Sequence, residues 1–115
     1  MSSDAVTSDW TSVCRIDEIV PATGVCALVA GEQVAVFRLA DNTLYAIGNV
    51  DPESGAAVLS RGLLGNLGER VVVASPIHKL HYDLRTGECL EEPALHVPAW
   101  QVRRTGELVQ VGRAA

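Results

Sequence analysis

Apolar residues in this chain come in short runs, many of them β-branched, and turn-forming residues interrupt them about every 8–12 positions. This pattern predicts an all-β sandwich or barrel. Strands are expected at Trp10–Arg15, Val25–Ala30, Gln33–Leu39, Thr43–Ile47, Arg70–Ala74, His81–Leu84, Glu88–Leu90, Trp100–Arg104 and Leu108–Val111. Gly31-Glu32 and Thr105-Gly106 mark hairpins, and Arg85-Thr86-Gly87 marks a further turn. In Thr43–Ile47, alternation places Leu44 and Tyr45 on opposite faces. Val71-Val72-Val73 does not alternate, the mark of a strand covered on both sides. Gly62–Asn66 fits either a short strand or a turn. No apolar stripe at helical spacing persists beyond a turn or two, and only Asp17–Val20 is expected to wind, for a single turn.

Two long loops interrupt the strands, Gly48 to about Ser60 and Ser75 to about Leu80, and Pro93 and Pro98 hold Glu91–Pro98 irregular. At 115 residues, 48% of them hydrophobic, the chain reads as one globular domain over residues 9–111. Residues 1–8 and 112–115 are expected to be flexible tails. The net charge of −5, with nine Lys and Arg scattered along the chain, supplies no basic stripe for phosphates and excludes nucleic acid as a partner. Met1–Asp9 has neither the basic nor the apolar part of a secretory signal, and no apolar run is long enough to span a membrane. A soluble cytoplasmic protein is expected. Cys14, Cys26 and Cys89, odd in number and widely spaced, do not form a disulfide framework; Cys14 and Cys26 read as small buried hydrophobes.

Familiar catalytic arrangements are missing. Ser75 lies three residues before His78, but Pro76 follows it and has no N–H to build an oxyanion hole. Gly62, Gly65 and Gly68 lack phosphate-loop spacing, and no helix follows them. His78, His81, His96 and Cys89 could be considered for zinc, but compact spacing is absent, and residues three apart on a strand face opposite ways.

What remains is a pair of loops. Asn49-Val50-Asp51-Pro52-Glu53-Ser54-Gly55, Val58-Leu59-Ser60-Arg61-Gly62, Ala74-Ser75-Pro76-Ile77-His78 and Tyr82-Asp83-Leu84-Arg85-Thr86-Gly87 together resemble the Rieske ferredoxin signature. Within that superfamily the chain is similar to the small subunits of assimilatory NAD(P)H-dependent nitrite reductases over roughly residues 9–111. The resemblance implies a Rieske-like [2Fe–2S] fold, an antiparallel β-sandwich of short strands with two protruding loops, that carries no cluster. A Rieske centre needs two thiolates on one iron and two imidazoles on the other. In the Rieske pattern those four positions fall here on Asp51, Glu53, Ser75 and His78, so only one imidazole is kept. Asp51 and Glu53 offer hard oxygens, and the Ser75 hydroxyl stays protonated at neutral pH.

The implied function is a non-catalytic subunit with no cofactor and no catalytic residue of its own. It would dock on a large subunit carrying sirohaem, [4Fe–4S] and FAD, which reduces nitrite to ammonium with NAD(P)H. Asp51, Pro52, Glu53, Pro76, His78 and Lys79, at the loop tips, are the candidate docking residues. A cross-loop ion pair of Asp51 or Glu53 with His78 or Lys79 is expected to hold the tips. The alternatives are a Rieske-type ferredoxin-like electron carrier and an interaction module of another oxidoreductase. Trp10 and Trp100 are expected in the core rather than at an interface.

Overall fold

The computed structural model describes residues 10–114. The expected flexible segment 1–8 lies outside them. Among the described residues nine strands form two antiparallel sheets. The larger contains β1 (Thr11–Arg15), β2 (Thr23–Val29), β3 (Glu32–Arg38), β4 (Leu44–Gly48), β8 (Ala99–Thr105) and β9 (Leu108–Ala114), in the order β1-β9-β8-β4-β3-β2. The smaller contains β5 (Leu63–Leu67), β6 (Arg70–Ala74) and β7 (His81–Asp83), in that order. Single 3₁₀ turns lie at Ile16–Glu18 and Leu59–Arg61.

The β3 strand explains the layering. Its sequence Val34-Ala35-Val36-Phe37 is buried throughout, and alternation splits it between two cores. Val34 and Val36 join Ala46, Trp100, Val109 and Val111 in a core that the large sheet curls around. Ala35 and Phe37 face the other way and join Ile47, Leu59, Val73, Tyr82 and Leu84 between the sheets. Leu44 and Tyr45 divide as expected, Leu44 to the first core and Tyr45 to the second. Phe37 is fully buried; removing its ring would cost about 3–5 kcal/mol, since both the transfer energy and a cavity are at stake.

Several boundaries differ from expectation. β9 continues through Ala114, because Gly112 and Ala114 still pair with Gln101 and Trp100. The strand therefore extends past Val111 into residues expected to be tail. Glu88–Leu90 makes only isolated bridges, Glu88 with His96 and Cys89 with Tyr82, because the backbone turns away toward Pro93 after one pairing. β5 does form: Leu63–Leu67 pairs residue for residue with the valine-rich β6. Cys26 is exposed and Cys14 half-buried, while Cys89 is the buried thiol. Cys26 lies on the outward phase of edge strand β2, whereas Val25 and Ala27 point to the core. Trp100 is buried, and Trp10 is half-buried with the Arg103 guanidinium 4.1 Å from its ring centroid.

Candidate functional site

The first loop leaves β4 through Asn49, a buried residue whose side chain organises its surroundings. Asn49 Oδ1 accepts from the Ser60 N–H at 2.7 Å, and Nδ2 donates to Gln33 Oε1 at 3.2 Å and to Cys26 Sγ at 3.4 Å. The bond to Ser60 draws the two ends of the loop together, and the other two tie Asn49 to β3 and β2. Beyond Asn49 the chain reverses tightly: the Asp51 N–H donates to Ala56 O and the Gly55 N–H to Asp51 O. Asp51 Oδ1 accepts from the Glu53 N–H at 2.8 Å, an Asx turn that fixes the tip.

The second loop leaves β6 at Ser75 and closes on itself. The Ser75 N–H donates to Leu80 O and the Lys79 N–H to Ser75 O. Lys79 takes a positive φ of 59° to complete the turn. Gly62, just after the first loop, presses on this one. A β-carbon there would lie 2.3 Å from Ala74 O, so only glycine lets the backbones approach so closely.

The two loops meet at Asp51. Ser75 Oγ donates to Asp51 Oδ2 at 2.5 Å, and the Tyr82 hydroxyl donates to Oδ1 at 3.3 Å. All three side chains are buried. Burial alone would raise the Asp51 carboxyl, but donors from Ser75, Glu53, Ser54 and Tyr82 outweigh it and hold the pKa below its ordinary value. Tyr82 is raised, first by burial and then by the Asp51 charge, and so stays a neutral donor.

The expected cross-loop ion pair is therefore replaced. Among the described residues no ion pair joins Asp51 or Glu53 to His78 or Lys79. A buried carboxylate and hydroxyl tie the loops instead, because Asp51 points inward and Glu53, His78 and Lys79 point to solvent. Asp51 also leaves the candidate docking set, since its side chain never reaches the surface. Pro52, Glu53, Pro76, His78 and Lys79 are exposed, with Val50 and Ile77 beside them as exposed apolar residues. Sequence reasoning missed the roles of Asn49 and Tyr82, although both lie within the segments that carry the resemblance.

These residues do not fit a [2Fe–2S] cluster. Asp51 and Ser75, at two of the four positions, spend their oxygens on each other, and neither offers the thiolate that iron needs there. His81 Nδ1 lies 2.5 Å from Glu91 Oε2, which commits that imidazole. Among the described residues no cluster of three His, Cys, Asp or Glu side chains is placed to hold a metal ion. No helix among them is long and apolar enough to cross a membrane.

Two packed antiparallel sheets with paired loops at one end define the class, a Rieske-like β-domain. Residues 9–112 match the Rieske-like [2Fe-2S] domain family. The nitrite reductase (NADH) small subunit of Salmonella typhimurium is 43% identical over 105 residues, covering 90% of this chain and 97% of that one. A crystallised protein from Mycobacterium tuberculosis, assigned as an NADH-dependent nitrite reductase small subunit, superposes with a TM-score of 0.87. It is 47% identical and is matched over 92% of this chain and 96% of its own. A nitrite reductase [NAD(P)H] large subunit from Klebsiella oxytoca is 39% identical over 103 residues, 90% of this chain but only 11% of that protein. The chain belongs to the Rieske-like family, in its branch of nitrite reductase small subunits.

Proposed function

We propose that this chain is the non-catalytic small subunit of a cytoplasmic NAD(P)H-dependent nitrite reductase, and that it docks on the large subunit. The Klebsiella relative carries this reading. There an equivalent segment forms 11% of a large-subunit chain, so evolution has placed the same domain covalently on the protein that this one would bind non-covalently. Nitrite reduction, the sirohaem, the [4Fe–4S] cluster and the flavin belong to the companion. This chain supplies a rigid, iron-free shape.

Its own residues support that role in two ways. The Asp51–Ser75–Tyr82 network fixes both tips without metal. The tips then present Pro52, Glu53, Pro76, Ile77, His78 and Lys79 together, a mixture of apolar and charged groups suited to a protein contact. Reconstitution tests the proposal: nitrite-dependent NAD(P)H oxidation by the purified large subunit is measured with and without this chain. A rise in rate or in large-subunit stability is expected, weakened by Ile77→Asp. No binding and no effect would overturn the proposal.

A further inference from the structure

The smaller sheet has one covered edge and one bare edge. Beyond β7 lies the Glu88–Leu90 segment, bonded through Asp83 N–H to Glu88 O and Leu90 N–H to His81 O. Beyond β5 lies nothing: among the described residues Leu63–Leu67 makes no backbone bond outside its pairing with β6. Bare edges are normally guarded by lysine, proline, a bulge or inward charge. Leu63-Leu64-Gly65-Asn66-Leu67 has none of these. By contrast β1, at an edge of the large sheet, carries a bulge between Ser12 and Cys14, ends in Arg15 and packs against β2 at the opposite edge.

The outward face of β5 is apolar. Leu63 is 79% exposed and Leu67 is 42% exposed, while a β-carbon on Gly65 between them would meet nothing within 4 Å. The strand is also self-complementary. In an antiparallel pairing of two copies centred on Gly65, Leu63 of one copy faces Leu67 of the other, twice. The pairing ends with the leucines, because the chain leaves the strand through the Leu59–Arg61 turn on one side and the Gly68-Glu69 turn on the other. A shift by one residue would set the leucines on opposite faces, so this register is favoured.

We infer that β5 is a homotypic docking edge, through which two copies of this chain join their three-stranded sheets into one six-stranded antiparallel sheet. The interface is isologous, as a two-fold dimer requires. A five-residue edge is short, so the dimer is weak and concentration-dependent. Self-pairing at β5 is independent of docking through the loop tips.

Sedimentation equilibrium of the full chain over a wide concentration range tests this. The mass should rise from 12.2 kDa toward twice that value as concentration increases. Leu63→Lys with Leu67→Lys places like charges opposite each other and should weaken association about tenfold or more. Leu63→Lys with Leu67→Glu places opposite charges there and should restore it. Both pairs of substitutions are at exposed positions, and unchanged circular-dichroism melts of dilute samples would show that the fold is kept. A wild-type chain that stays monomeric throughout overturns the inference, as does a dimer indifferent to both variants. It is overturned equally if the wild type is monomeric and the double-lysine variant loses the large subunit, since the edge then belongs to that partner.

Discussion

Ser75 Oγ donates to Asp51 Oδ2 at 2.5 Å across two loops that lie 24 residues apart in sequence. In the Rieske pattern both positions carry cysteine, and the two thiolates are bridged through one iron. Here a direct hydrogen bond spans the gap, charge-assisted and sheltered from water. The loops keep their juxtaposition without the metal.

Removing either partner should loosen the tips. Asp51→Ala strands the Ser75 and Tyr82 hydroxyls in the interior and should cost about 3 kcal/mol, while Ser75→Ala, which leaves Asp51 its other donors, should cost about 1.5 kcal/mol. Urea unfolding of both single variants and the double variant checks this. The double variant should lose less than the sum, because the bond can be broken only once.

Acid should undo the same contact. Because hydrogen bonds lower the Asp51 pKa in the folded state, its contribution is complete above the ordinary carboxylate range, about pH 4, and is lost as pH falls through the depressed value. Asp83 behaves alike: burial opposes ionisation, but the Arg70 guanidinium, 2.7 Å away, and the Arg85 and Thr86 N–H groups more than compensate. Stability measured from neutral pH to below pH 3 should fall on the acid side, and Asp51→Asn should flatten part of that fall while lowering the plateau.

The loops should accept a cluster if given the missing ligands. Asp51→Cys, Glu53→His and Ser75→Cys together supply two thiolates and a second imidazole beside the native His78. Anaerobic reconstitution of the triple variant with iron and sulfide should yield the visible absorption and electron paramagnetic resonance of a Rieske centre. The same treatment of the triple variant with His78→Ala added should not.

Gly62 should tolerate no side chain. Gly62→Ala drives a methyl group toward Ala74 O and Val73 Cγ2, at 2.3 and 2.6 Å, and should cost about 3 kcal/mol as the second loop is pushed away. Gly65→Ala, which enters open space, should stay within about 0.5 kcal/mol. Thermal melts of the two variants separate them.

Much of the fold was legible because alternation and β-branching mark strands directly. β6 falls at Arg70–Ala74 as read, and the hairpins of β2 with β3 and of β8 with β9 form, but each two-residue turn is displaced by one residue from the expected position, to Ala30-Gly31 and to Gly106-Glu107. β5 was ambiguous because Gly65 and Asn66 have little strand propensity; pairing with Val71–Val73 decides it. Cys26 was misplaced because Val25–Ala30 is apolar without a break, and an unbroken run carries no phase. The candidate site was legible as two loops with altered ligand positions. How they are held was not, because charge alone suggested an ion pair between Asp51 or Glu53 and His78 or Lys79. Which carboxylate turns inward depends on the Asx turn at Asp51 and on Tyr82, 31 residues away.

A loop pair latched by oxygen atoms has no component that oxidants can strip or that scarce iron can leave unfilled. Neither loss of iron nor peroxide would break the Asp51–Ser75 latch, which holds only oxygen atoms. The shape this chain offers its companion is thereby insulated from the supply of the metal on which the wider fold was built.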